Sequence, residues 1–186
     1  MDTTVSNELK FNKMIEKALE TGAFRANVIE TGKIVTDASF RDSCAANICG
    51  VYGKCWMCPP DVGEIHELMA KVYKYTHAMV YQKVYPLEDS FDIEGMTEAR
   101  NDFKKLVFRM KKTFNEEGMF HLGAGGCGVC EICSKREDLP CRFPELAVSS
   151  LEAHGINVSE LAKSAGMNYI NGQDTVTYFG AVFFNS

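Results

Sequence analysis

Eight cysteines stand in two short stretches of this 186-residue chain: Cys44, Cys49, Cys55 and Cys58, then Cys127, Cys130, Cys133 and Cys141. Each quartet occupies fifteen residues, and no cysteine lies elsewhere. Thiols that merely pack a core scatter among apolar neighbours. These sit among Gly, Pro, Lys and Asp. Clustered thiols of this kind serve as ligands for a soft metal centre or as reactive thiols.

The second quartet reads C-x2-C-x2-C-x7-C. Three thiols at three-residue intervals let one loop present each sulfur to a different iron of an iron–sulfur cube, and the bacterial ferredoxin run opens with the same pattern. That run ends in C-P, whereas here the fourth thiol comes later, in Cys141-Arg142-Phe143-Pro144. The first quartet reads C-x4-C-x5-C-x2-C and closes on Cys55-Trp56-Met57-Cys58-Pro59-Pro60, where proline turns the chain out of regular hydrogen bonding. Zinc is the rival. A four-cysteine zinc site pairs two C-x2-C knuckles around one ion, and Cys127, Cys130 and Cys133 in a row fit that less well. A thioredoxin-like use of Cys55 and Cys58 needs a helix opening there, and two further cysteines just upstream argue against a lone redox pair. The C-x3-C-x2-C spacing of radical-type clusters does not occur. The expectation is two 4Fe–4S clusters with all eight cysteines as ligands, and zinc as the alternative. Both loops are long enough to wrap their own cluster, so one cluster per quartet is expected. An exchanged arrangement would need the loops side by side.

Gly123-Ala124-Gly125-Gly126-Cys127-Gly128 spells G-x-G-x-x-G, but it runs straight into C-x-x-C instead of opening a helix. Its glycines are better suited to bringing backbone N–H groups close to cluster sulfurs, which tunes potential. His66, His77, His121 and His154 are weak ligand candidates beside eight thiols, His121 being nearest a cysteine loop. Lys54, Lys135, Arg136 and Arg142 could offset thiolate charge, and Trp56 and Phe143 could keep water off a cluster. No Ser/His/Asp arrangement, P-loop or H-E-x-x-H supports hydrolytic or phosphoryl chemistry.

The elements that must position these loops follow from periodicity. Residues 6–20 read as an amphipathic helix capped by Ser6 and closed by Gly22. Short β-prone stretches at 25–30 and 33–38 flank a Thr31-Gly32 turn. The first cysteine segment reads as loop, followed by a helix over 62–75 and a strand over 77–85. Residues 87–95 read as an acidic loop. The longest helix is expected over 97–117, with Phe103, Val107, Met110 and Phe114 on one face and Gly118 at its end. A strand at 119–122 leads into the second cysteine segment. Helices are expected at 144–154 and 158–165, with Asn157 or Ser159 as cap, and a strand apolar on both faces at 175–184. The prediction is one α/β domain spanning 1–186, with a mixed sheet of four or five strands flanked by helices and two cysteine-rich loops.

Net charge is −5 and the pI is near 5.4, against a general footprint for nucleic acid. Eight cysteines in 186 residues fall below the ~8–10% of disulfide scaffolds. No apolar run reaches the ~18 residues of a membrane span, and the polar N-terminus has no signal-peptide core. The cytoplasm, where thiols stay reduced, is the expected location.

The segments CGVYGKCWMCPPDVG (Cys49 to Gly63) and CGVCEICSKREDLPCRFPELAVSSLEAHGINV (Cys127 to Val158) resemble a cysteine-rich family of predicted metal-binding proteins, a domain of unknown function common in anaerobic bacteria and archaea. The resemblance implies metal binding, most naturally iron–sulfur, through the eight matching cysteines, and it supplies no reaction. Three functions are therefore expected in order. The first is a two-cluster protein that relays electrons to or from a partner. The second is a redox enzyme or subunit with one cluster facing a substrate pocket, and the third a zinc-stabilised binding module.

Overall fold

The computed structural model describes residues 3–186, with side chains described from Ser6 onward. Five strands form one mixed sheet: β1 (Arg25–Glu30), β2 (His77–Pro86), β3 (Phe120–Gly123), β4 (Ser149–Ser150) and β5 (Thr175–Phe184). Their spatial order is β1-β2-β5-β3-β4. All neighbours run antiparallel except β3 and β4, which pair in parallel through Leu122 with Ser149 and Gly123 with Ser150. The chain is one α/β domain, as its pattern predicts.

The two long central strands have apolar residues on both faces because both faces are covered. On one face Ala78 and Val80 of β2 and Ala181 and Phe183 of β5 pack with Val72, Leu151, Ile156 and Leu161. On the other, Met79, Tyr81, Val182 and Phe184 pack under α1 (Thr3–Thr21) and α4 (Ile93–Thr113), which contribute Met14, Ala18, Phe103, Leu106 and Met110. Gly180 leaves room for the Tyr81 ring, since a Cβ there would lie 2.4 Å from it.

Several expectations are corrected by local chemistry. The α4 helix begins at Ile93, within the acidic stretch expected to be loop, because Asp92 caps it by accepting the Gly95 N–H at 2.7 Å. It ends at Thr113, with Phe114 rather than Gly118 at its C-terminus. Residues 33–38 form no strand. A single 3-10 turn (Thr31–Lys33) follows β1, and Thr36 bridges only to Ile156. The helix expected at 144–154 is instead β4 followed by a 3-10 turn at Glu152–His154. Ser6 lies inside α1, not at its cap. The other two short helices are α2 (Phe40–Ala45) and α3 (Ile65–Val72), the latter shorter than its expected range. The last, α5 (Val158–Ser164), is capped by Asn157, which accepts the Glu160 N–H at 3.1 Å. Among the described residues no helix is long and apolar enough to cross a membrane.

Candidate metal centre

Both cysteine segments lie at one end of the sheet. The first runs from α2, which carries Cys44, to α3; the second connects β3 to β4. Tight local bonds shape the first. The Gly53 N–H donates to the Pro59 carbonyl at 2.9 Å, and the Cys58 N–H donates to the Cys55 carbonyl at 2.9 Å. In the second, glycines in the left-handed region flank Cys127, with φ +67° at Gly125 and +74° at Gly128. The Ser134 hydroxyl then donates to the Pro140 carbonyl at 2.8 Å, folding Cys141 back toward Cys133.

The two loops are bound to each other. Trp56 Nε1 donates to the Leu139 carbonyl at 2.9 Å, and Ser149 Oγ donates to the Met57 carbonyl at 2.8 Å. Lys135 reaches Asp61 at 3.0 Å and lies 4.4 Å from the centre of the Trp56 ring. At Gly126 the two loops approach closely, since a Cβ there would stand 3.4 Å from Val51 Cγ2 and 3.7 Å from Cys58 Sγ. The glycine run therefore serves the approach of one cysteine loop to the other.

The thiols surround two neighbouring cavities. One, of about 30 Å³, is lined by Cys55, Cys127, Cys130, Cys133 and Cys141, with Trp56 and Phe143 on its wall. The other, of about 40 Å³, is lined by Cys44, Cys49 and Cys58 with Val51, Tyr52 and Gly126. The expected grouping of one quartet per site differs at Cys55, which faces the cavity of the second loop. Its sulfur lies within hydrogen-bond reach of both Cys58 and Cys133, so it stands at the wall between the cavities.

The donor set fits a thiophilic metal centre: eight thiols, none in a disulfide, line the two cavities. Backbone N–H groups of Cys127 and Met57 point at Cys55 Sγ, and those of Val129 and Val148 at Cys127 Sγ. Such N–H···S bonds favour the thiolate. Hydrogen bonding from the Cys58 thiol brings Cys55 down to about 5, and the same bond pushes Cys58 up. Two adjacent thiols holding one proton behave in this way. Burial pushes Cys127 and Cys44 up. Among the described residues no three His, Cys, Asp or Glu side chains converge closely enough to hold a lone ion.

The charged residues near the loops are engaged elsewhere. Lys54 donates to the Gly50 carbonyl, Lys135 pairs with Asp61 and Asp138, and Arg142 donates to the Ile132 carbonyl. Three other cations stand near the thiols, Arg41 by Cys44, Lys111 by Cys127, and Lys104 of α4 by Cys127, Cys55 and Cys58. The Lys104 chain runs beside Gly128, where a Cβ would lie 2.6 Å from Lys104 Cδ. Burial lowers its pKa, while Cys127, Cys55 and Cys58 act in the opposite sense. A lysine on a basic helix face gives no sequence signal that separates it from a solvated one.

The buried histidines are structural. His121 Nε2–H donates to the Phe114 carbonyl at 2.8 Å, and His154 Nδ1–H donates to the Ser150 carbonyl at 3.1 Å. Burial lowers each to about 4 from 6.5. The unfolded chain then binds protons between those values that the native state refuses, so stability falls as pH drops from about 6.5 toward 4. Each histidine contributes about 1.4 kcal/mol per pH unit inside that window. His121→Gln keeps a donor for Phe114 and removes one titrating group. Thermal unfolding at pH 7 and pH 5, with metal content checked at both, should show a smaller acid loss in the variant; an equal loss would refute this assignment.

A family of predicted metal-binding proteins, DUF2284, matches residues 27–184, from β1 through β5 and across both cysteine loops. The chain belongs to this family. No curated protein and no solved structure matches it. The DUF2284 match covers the sheet together with both thiol-lined cavities. It agrees with the resemblance carried by the two cysteine segments, and it specifies metal binding without a cluster type or a reaction.

Proposed function

We propose that this protein binds two iron–sulfur clusters of the 4Fe–4S type through Cys44, Cys49, Cys55, Cys58, Cys127, Cys130, Cys133 and Cys141, and passes electrons to or from a partner protein. The observation that carries the reading is the pair of adjacent cavities with all eight thiols on their walls. The N–H groups aimed at Cys55 and Cys127 support it, since hydrogen bonds to sulfur and limited solvent access set cluster potentials. Two clusters in contact loops would exchange electrons readily, which suits a relay. Thiolate ligation of this kind suits a reducing compartment such as the cytosol.

Anaerobic purification followed by iron, sulfide and zinc analysis tests the proposal. About eight iron and eight sulfide per chain are expected for two cubes. Stoichiometric zinc without sulfide would overturn it and leave the zinc-stabilised module.

A second reading, a redox enzyme, is favoured by one observation. A cavity of about 600 Å³ lies against the second loop, with Phe108, Phe114, Met119 and Leu146 among its walls. Val129 lines both this cavity and the five-thiol cavity, and its N–H points at Cys127 Sγ. The volume is within the ~300–1,000 Å³ range of small-molecule sites. Turnover of a small molecule by the isolated holoprotein would favour this reading over a relay.

A further inference from the structure

We propose that the cavity of about 600 Å³ beside the second cysteine loop binds a neutral aromatic molecule carrying a hydroxyl group, a phenol or hydroquinone, whose O–H donates to Nδ1 of His121. The inference rests on the redox-enzyme reading above and names the ligand class of its site. An unused acceptor carries it. His121 lines the cavity and is 7% exposed. Its Nε2 lies 2.8 Å from the Phe114 carbonyl, which has no proton to give, so Nε2 carries the ring proton. Burial brings the ring down to about 4 and keeps it neutral at pH 7, which leaves a lone pair on Nδ1. That atom is buried and has no hydrogen-bond partner among the described residues. Buried polar atoms are almost always paired, and this one belongs to a side chain on a cavity wall.

The rest of the wall selects the ligand. Phe108, Phe114, Met119 and Val129 give it aromatic, thioether and aliphatic surface, which suits the face and edge of a flat ring. Charge stays at the mouth, where Lys112, Glu116 and Glu145 are exposed. Lys111 is engaged, since it donates to the Ala147 carbonyl at 3.2 Å and has Glu145 beside it. Two lysines against two glutamates leave the lining without net charge, so a neutral ligand fits better than an ion. An apolar interior with a few placed polar groups is the usual make-up of a small-molecule site. Val129 also lines the five-thiol cavity, so a ring bound here would lie beside the second cysteine loop.

Calorimetric titration of the full chain, purified anaerobically, compares three probes at pH 7. They are 2-naphthol, its methyl ether, which lacks the donor, and 2-naphthoate, which is an anion. 2-Naphthol should bind about three- to tenfold more tightly than the ether, the worth of one hydrogen bond, and 2-naphthoate no more tightly than the ether. Bound 2-naphthol should also move the Nδ1 nitrogen resonance of His121, assigned by its absence from His121→Gln. The proposal is overturned if no probe binds, if naphthol and ether bind equally, if naphthoate binds most tightly, or if bound naphthol leaves Nδ1 unmoved. The comparison of probes on wild-type protein decides the matter even if His121→Gln fails to fold. A protein that binds 2-naphthol in this way yet turns over no small molecule would support the site and overturn the redox-enzyme reading alone.

Discussion

Stripping the metal should leave the five-stranded sheet folded and open both cysteine loops to protease. The sheet carries its own core on both faces, from Met79, Tyr81, Val182 and Phe103 on one side to Val80, Phe183, Leu122 and Leu161 on the other. The loops have no equivalent. Between residues 46 and 60 only Cys55, Cys58 and Pro59 are buried, and between 124 and 147 only Ser134. Two of these four are thiols assigned to the metal, and the rest of each loop depends on scattered hydrogen bonds and the Lys135–Asp61 pair. Ion pairs near a surface contribute ~0–1 kcal/mol, whereas a structural metal contributes on the order of 10 kcal/mol to the segments it organises. Exposed Lys54, Arg136 and Arg142 place trypsin sites within both loops. Cleavage there should be about tenfold or more faster in the apoprotein, while far-UV circular dichroism changes little. An apoprotein as resistant as the holoprotein would mean that the loops hold themselves.

The same contrast explains what the sequence reveals. Strands β2 and β5 were legible because β-branched and aromatic residues dominate both. The alternation between faces at Ala78, Met79, Val80 and Tyr81 follows from the strand period itself. The start of α4 was not legible by periodicity, because Leu-Glu-Asp-Ser-Phe-Asp-Ile-Glu-Gly reads as acidic loop until Asp92 is seen to cap a helix. Residues 144–154 carry apolar residues at helical intervals, yet β3 offers Ser149 and Ser150 a parallel partner, and the chain takes it. At the site, the clustering of the thiols was legible and their division between the two cavities was not. Spacing along the chain favours Cys55 with Cys58. The place of Cys55 depends on the second loop reaching across through Gly126 and Cys127, distant in the chain but in contact in space. Lys104 escaped for the same reason, since only the approach of Gly128 brings it to the thiols.

Gly126 gives the largest expected effect of any single substitution outside the cysteines. It is not among the residues with left-handed φ, so its backbone accepts a side chain. A Cβ there would stand 3.4 Å from Val51 Cγ2 and 3.7 Å from Cys58 Sγ. These are tight to ordinary contacts, and Gly126→Ala should keep its metal and lose about 1 kcal/mol of stability or less. A leucine cannot stop at Cβ. Its branched end must occupy the space between Val51 and Cys58, forcing the first loop away from the second or turning Cys58 out of the cavity. Overpacking of a close contact costs ~1–3 kcal/mol when neighbours can shift, and here the neighbour is Cys58, one of the proposed ligands, whose position would set metal affinity. Gly126→Leu should therefore lose the centre that Cys58 serves, reducing iron and sulfide by about half for two cubes. The far-UV spectrum should remain that of the wild type, because the sheet core does not include this residue. Iron and sulfide analysis beside circular dichroism makes the measurement. A Gly126→Leu protein with its full complement of iron would show that the loops reach their metals independently, without the close approach seen at Cys58.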